Sequence, residues 1–357
     1  MNFGKLSGGK KKTVSPSLNG GTFVGVDISD TSVKMVQISG RSPDKIKVEN
    51  CAVTPLASGV ISGGKLLKAD DLVVSLQQTA NRMGSVSKNV ILGMPVSAVT
   101  LQNFAYDAGS GVDVESAAEF EAAQISGAVD DVNFDYQALS TGGMLLALAK
   151  KEDIGPFQVA MEEANLTPSI IDVESAACVN AFSYWINTRA SELERSVIAI
   201  FDIGDEQTKA LVVQSGSILY KQEFGLGGKH LSRDIQRIYQ ISAEEAEHMK
   251  LAPNKPGNFR DVANSFGSQI AQEIQRVLQF FYTLSTGGAN VERLLLTGGG
   301  SLCEGIEQIV SSQTGIPTQL VHPFEHAPFS GRNNNEQVAR NAARYTVALG
   351  LALRGLA

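Results

Sequence analysis

Alternation of apolar and polar residues is strongest at two places in the chain, and each time the same short polar motif interrupts it. Residues 23–38 read FVGVDISDTSVKMVQI and residues 198–213 read IAIFDIGDEQTKALVV. An apolar run of strand character enters a tight turn, and an alternating run leaves it. Both turns have the form Asp-Ile-small-Asp-x-x-x-Lys, with Asp27, Ile28, Ser29, Asp30 and Lys34 in the first and Asp202, Ile203, Gly204, Asp205 and Lys209 in the second. A hairpin with an aspartate at its tip is therefore predicted twice. A repeat half a chain apart predicts two similar lobes, each opening with such a hairpin and facing the other across a cleft.

The rest of the pattern fits that frame. Strands are predicted at residues 90–93, 144–149 and 291–296, and helices at 114–125, 154–164, 231–239, 243–249, 268–284 and 303–312. Ser242 with Glu245 three residues on predicts a capping box for the helix at 243–249. The run SIIDV leads straight into ESAACVNAF, a strand turning into a helix with Glu174 at the junction. Gly287 and Gly288 predict a turn, residues 321–335 an irregular loop rich in Pro, Asn and Gly, and residues 336–354 one closing helix.

Length and composition narrow the class. At 357 residues the chain is long for one ordinary core, and 43% hydrophobic with 19% charged residues is the balance of a globular protein. A net charge of −7 argues against nucleic acid as a partner. Cys51, Cys178 and Cys303 are odd in number and form no metal-site spacing, which predicts reduced thiols in a cytoplasmic setting. No apolar run reaches the ~18 residues of a membrane span and no signal-peptide pattern opens the sequence, so membrane association is expected to be indirect, through partners. Residues 1–21 carry Lys5, Lys10, Lys11 and Lys12 among small polar residues. They read as a flexible basic tail, solvated or weakly drawn to anionic lipid headgroups.

Two aspartate-tipped hairpins suit a nucleoside triphosphate with Mg2+. Exposed N–H groups and the hydroxyls of Ser29, Thr31 and Ser32 are donors for phosphate oxygens, with Lys34 near the terminal phosphates. Asp27 and Asp202 would hold a hydrated Mg2+, which needs only one or two protein carboxylates. Asp and Gly at a single hairpin tip are more often turn residues alone; two copies at the same offsets weaken that reading. A third element, LLLTGGGS, ends a strand in Gly298, Gly299 and Gly300 before Ser301, where the backbone can approach a purine ribose closely or simply turn. It has neither the Walker nor the GxGxxG form. Gly227, Gly228 and Lys229 form a second approach site, with Arg233 and Glu273 as further candidates for the nucleoside or as plain surface charges.

The order of hairpin, strand-to-helix Glu, second hairpin, Gly-Gly-Lys and Thr-Gly-Gly-Gly resembles the actin, Hsp70 and sugar-kinase superfamily. Within it, IDVESAACVNAF, GLGGKHLSRDIQRIYQISAEEAE, EIQRVLQFF and YTVALGLALRGL resemble the PilM family of type IV pilus inner-membrane assembly proteins, over nearly the whole chain from Thr22. The resemblance implies an α/β, two-lobed actin-like fold with an FtsA-type subdomain inserted at about residues 94–168, a first lobe of residues 22–195 and 337–357, and a second lobe of residues 196–336. It implies ATP and Mg2+ as ligands, with Asp27, Ser29, Thr31 and Ser32 in one phosphate motif, Asp202 and Gly204 in the other, and Gly298 to Ser301 in the adenosine motif. Glu174 stands where actin-like hydrolases place a water-orienting residue, though an acid at a helix start is favoured in any case. Ser29 stands where many relatives carry Gly, which restricts a positive φ there.

Three functions follow as alternatives. The first is a cytoplasmic ATP-binding scaffold, at most a slow ATPase, at the inner-membrane face. For that reading the resemblance implies that the inserted subdomain binds the cytoplasmic N-terminal segment of PilN, alongside other pilus inner-membrane components. A phosphotransferase of the sugar-kinase type needs a base for a substrate hydroxyl, and His230, His248, His322 and His326 are scattered. An FtsA-like filament-forming membrane tether needs an amphipathic extension, which residues 348–357 do not provide.

Overall fold

The computed structural model describes residues 21–356 apart from 44, 85, 108, 110, 140–142, 253, 286–287 and 331–334. The lysine-rich residues 1–20 and Gly287 of the expected turn lie outside the described residues. The chain divides into two units. One takes the described residues up to Tyr184 with His326–Val338 and those from Val347 on; the other takes Trp185–Glu325 and Ala339–Thr346.

The first unit opens with β1 (Gly21–Ile28), β2 (Ser32–Gly40) and β3 (Ile46–Pro55), followed by the short pair β4 (Ile61–Ser62) and β5 (Lys65–Leu66), α1 (Ala69–Met83) and β6 (Asn89–Met94). Then come β7 (Thr100–Phe104), α2 (Val114–Ser126), β8 (Val132–Ala138), β9 (Met144–Lys150), α3 (Lys151–Glu163), β10 (Thr167–Val173) and α4 (Glu174–Arg189). The main sheet has the order β10-β6-β1-β2-β3. β1 pairs antiparallel with β2 and parallel with β6, whose apolar run NVILGM is buried from Val90 onward, as a central parallel strand requires.

β7, β9 and β8 form a separate three-stranded sheet with α2 on it. Its own core joins Phe104, Ala118, Ala122, Val132, Leu146 and Leu148. α3 belongs to the main core instead, through Ile154, Phe157, Ala160 and Met161.

The second unit repeats the plan. β11 (Ile198–Ile203), β12 (Thr208–Gln214) and β13 (Ser217–Phe224) lead to α5 (Gly228–Tyr239), α6 (Ala243–Leu251) and α7 (Phe259–Leu284). β14 (Arg293–Thr297), α8 (Ile306–Thr314) and β15 (Thr318–Leu320) follow, in a sheet ordered β13-β12-β11-β14-β15. Each sheet thus has an antiparallel three-strand meander whose first strand carries two parallel strands on its other side. The hairpin registers coincide as well: Asp27 lies opposite Lys34, and Asp202 opposite Lys209.

Three expectations need correction. α7 starts at Phe259 rather than Ser268, because Phe259, Val262, Ala263 and Phe266 continue the buried stripe of Ile270, Ile274 and Leu278 through Gly267. Gly267 interrupts the sequence pattern but suits the packing, since a Cβ there would meet Ile309 of α8 at 2.8 Å. α8 itself starts at Ile306 rather than Cys303. Its N-cap Gly305 has φ +79°, and a 3-10 turn fills Gly300–Leu302. The single closing helix is broken into α9 (Asn335–Asn341), a 3-10 turn at Ala342–Tyr345 and α10 (Thr346–Arg354). The carbonyl of Ala343 accepts from Gly298 N at 3.0 Å, Thr297 Oγ1 at 3.1 Å and Thr346 Oγ1 at 3.1 Å. That carbonyl is committed to the end of β14, and the helix does not run through it.

α10 packs into the first unit through small residues. A Cβ on Gly25 of β1 would lie 2.0 Å from the carbonyl oxygen of Ala348, and one on Gly350 would lie 1.7 Å from that of Ala177 in α4. Among the described residues no helix is long and apolar enough to cross a membrane.

Candidate functional site

In the first unit the hairpin turn is closed on itself. Ser29 N donates to Ser32 O at 2.9 Å, Ser29 Oγ lies 3.2 Å from both Ser32 O and Ser32 Oγ, and Thr31 O accepts from Leu56 N at 2.8 Å. The positive-φ residues other than glycine are Asn165, Ser215 and Gln240 among the described residues, so Ser29 makes this turn without a left-handed backbone. Asp27 is buried, and Lys34 Nζ donates to its Oδ2 at 2.8 Å. The two residues assigned to metal and to phosphate thus form an ion pair across the β1–β2 ladder.

The second hairpin is built into a nest of glycines. Gly298 has φ +85°, and a Cβ there would sit 2.3 Å from Asp202 Oδ1 and 2.5 Å from Ile203 O. A Cβ on Gly300 would meet Ile203 Cγ2 at 2.5 Å, and one on Gly227 would meet Asp205 O at 2.5 Å. The triple glycine and the Gly-Gly-Lys segment therefore both press on the Asp202–Asp205 turn, one from β14 and one from the start of α5. The sequence left both a ligand and a plain tight turn open for the triple glycine; close packing on the hairpin backbone is by itself a reason for glycine at 227, 298 and 300.

Hydrogen bonds tie the same parts together. Gly228 N donates to Gly204 O at 2.9 Å and Lys229 N to Asp205 O at 2.8 Å, so the first N–H groups of α5 go to the hairpin rather than to open space. Thr208 Oγ1 donates to Leu226 O at 2.6 Å, and Ser301 Oγ to Gly298 O at 2.7 Å. Lys229 Nζ pairs with Glu206, while Arg233 is exposed and Glu273 pairs with Arg276.

A polar cluster beside this nest was not singled out from sequence. Lys250 Nζ lies 2.9 Å from Ser232 Oγ, 3.0 Å from Glu247 Oε1 and 3.3 Å from Gly228 O. Burial pushes the Asp205 carboxyl above its usual range, against the pull of Lys250. The signal was present in the second aspartate of the repeated motif and in the helical spacing of Glu247 and Lys250. Both read equally well as turn and surface residues.

Glu174 is buried as the first residue of α4, directly after β10 and two strands from β1 in the sheet order. Among the described residues no three His, Cys, Asp or Glu side chains converge to hold a metal. Cys51 and Cys178 are buried, and burial pushes the Cys303 thiol up to about 11, so these are inert reduced thiols. A surface groove of about 570 Å³ is lined by Leu278, Tyr282, Ile316 and polar neighbours on α7 and α8. None of its lining residues carries a charge.

A family model for the type IV pilus assembly protein PilM matches residues 25–356. The solved structure of a PilM-PilN type IV pilus biogenesis complex is similar over 96% of this chain and 100% of that one, with 23% identity and a TM-score of 0.78. Ethanolamine utilization protein EutJ from Carboxydothermus hydrogenoformans is similar over 93% and 89%, with 17% identity and a TM-score of 0.59. MreB 5 of Spiroplasma citri bound to AMPPNP is similar over 92% and 94%, with 14% identity and a TM-score of 0.50. The fold is the actin-like one that the resemblance implied.

Proposed function

The chain belongs to the type IV pilus assembly protein PilM family, and from that membership we propose a scaffold that binds ATP with Mg2+ and, so loaded, docks the cytoplasmic N-terminal segment of a bitopic PilN. The observation that carries the nucleotide reading is the repeated hairpin, with an aspartate opposite a lysine at the same register in both units. Nucleotide binding is supported further by the AMPPNP bound in the similar MreB 5 structure, and PilN as partner by the similar PilM-PilN complex.

Magnesium would neutralise phosphate charge, and this chain would supply few direct ligands to it, since the ion keeps most of its water. Asp27 and Asp202 are the carboxylates offered. The hydroxyls of Ser29, Thr31 and Ser32 and the turn at Gly204 would donate to phosphate oxygens, and Lys34 would exchange its partner Asp27 for phosphate. Gly227, Gly228 and Lys229 would flank the nucleoside together with Gly298, Gly299, Gly300 and Ser301. The lack of a side chain at Gly298 is what lets the backbone come this close to Asp202. Glu174 would orient water only weakly, so turnover is slow and the nucleotide acts chiefly as a structural ligand. The protein would reach the inner membrane's cytoplasmic face through partners.

Differential scanning fluorimetry with ATP and Mg2+ tests the reading. A rise in Tm with ATP·Mg2+ that is absent without nucleotide is expected, because a ligand that binds only the native state stabilises it. No shift at millimolar ATP would remove the nucleotide from the proposal.

A further inference from the structure

Three consecutive glycines follow β14, and packing within the second unit accounts for two of them. Gly298 and Gly300 lie so close to Asp202 and Ile203 of the hairpin that a Cβ on either would collide. Gly299 is different. Its φ of −66° and ψ of −34° describe a backbone that alanine adopts more readily than glycine. A Cβ built there would have, chain neighbours aside, only Nε and Cγ of Arg344 within 4 Å among the described residues, at 3.5 and 3.7 Å. Those are ordinary contacts. Neither backbone conformation nor packing requires glycine at 299, and its bare, half-buried peptide has one side chain beside it.

That side chain is positioned from both directions along the chain. The carbonyl of Ala343, just before it, accepts from Gly298 N and Thr297 Oγ1. Tyr345, just after it, is buried and stacked on Phe324 with ring centroids 5.9 Å apart. Between these anchors the guanidinium of Arg344 is unmatched. Its Nε is buried without a hydrogen-bond partner, and no carboxylate pairs with it among the described residues. An orphaned N–H on a fixed, half-buried cation is costly unless a ligand completes it.

The two features together narrow the ligand. A backbone free of side chain, with a planar guanidinium alongside, suits a flat ring, and the Nε–H calls for an acceptor on that ring. A phosphate would satisfy the charge but would have no use for the open face of Gly299.

We propose that Arg344 reads the base of the bound nucleotide, the ring lying against Gly299 and an acceptor atom of the base taking the Arg344 Nε–H. This rests on the reading that the chain binds ATP, and adds the residue that recognises adenine.

The test is isothermal titration of the full chain with Mg2+ complexes of three kinds of probe. These are ATP, inorganic tripolyphosphate, which lacks base and sugar, and deaza-ATP analogues in which N1, N3 or N7 is replaced in turn by carbon. Arg344→Gln should weaken ATP roughly tenfold and leave tripolyphosphate unchanged. Arg344→Lys keeps the charge but loses the planar donor, and should not restore ATP binding. On the wild type, one analogue should bind as weakly as ATP does to Arg344→Gln, and the variant should no longer distinguish that analogue from ATP. Gly299→Ala should keep the Tm of the unliganded protein and weaken ATP as well. An arginine that only lays its stem on the protein and its head in water would leave ATP binding unchanged in Arg344→Gln, which would overturn the assignment while the nucleotide reading stood. Equal weakening of tripolyphosphate with rescue by Arg344→Lys, or three analogues that all bind the wild type as ATP does, would overturn it in the same way. Failure of ATP to bind the wild type at all would overturn both.

Discussion

Asp202 reaches back toward the glycine backbone at position 298, and that contact makes two substitutions informative. Asp202→Ala should leave a folded protein that has lost the ATP·Mg2+ rise in Tm; an unchanged rise would remove Asp202 from the site. Gly298→Ala should destabilise the protein by about 2–4 kcal/mol in urea titration, since a left-handed backbone and a contact of 2.3 Å must both be relieved. A pH prediction follows from Asp135 and Asp172, both raised to about 6, chiefly by burial. Their folded-state values lie above the unfolded one of 3.8, so the folded chain retains protons that the unfolded chain has released. The stability they contribute is full below about pH 4 and is lost as pH rises through about 6. Tm measured from pH 4 to pH 7.5 should show the gap between Asp135→Asn and wild type moving in the variant's favour as pH rises. At this scale the sequence showed which residues stand at hairpin tips, because offset and residue type repeat. It did not show that Lys34 rests on Asp27 or that Arg354 lies beside Asp172, because pairs of that kind are made by tertiary contact.

Elements were legible where local chemistry sets their ends. The box at α6 formed as read, with Ser242 N donating to Glu245 at 2.8 Å and Glu245 N to Ser242 Oγ at 3.2 Å. Ser242→Ala should therefore cost about 1 kcal/mol, read from the shift in denaturation midpoint. Boundaries set from a distance were missed. The start of α7 depended on α8 accepting Gly267, and the break before α10 depended on Gly298 and Thr297 claiming the carbonyl of Ala343. Neither distant partner leaves a mark in the helix's own periodicity. Thr297 is fully buried and its hydroxyl lies 2.5 Å from that of Thr346, so it serves the break and the triple glycine together.

For the whole molecule, the repeat carried the architecture: two copies of one hairpin implied two similar lobes, and each unit holds a five-stranded sheet opened by its hairpin. The extent of the three-stranded insert was less legible, because α3 is equally amphipathic whichever core it joins, and it joins the main one. If a PilN segment docks as proposed, hydrogen exchange should slow mainly within residues 94–148, whereas protection confined to residues 231–251 would contradict that placement. The packing of Gly25 against Ala348 also bears on synthesis. β1 leaves the ribosome ahead of the helix that covers it, which is translated about 320 residues later. The nascent first sheet must wait, with its glycine face bare, while the entire Trp185–Glu325 segment emerges and is free to fold. A stop codon in place of Val347 should therefore yield a chain whose second unit resists protease while its earlier-made neighbour is digested or held by chaperones.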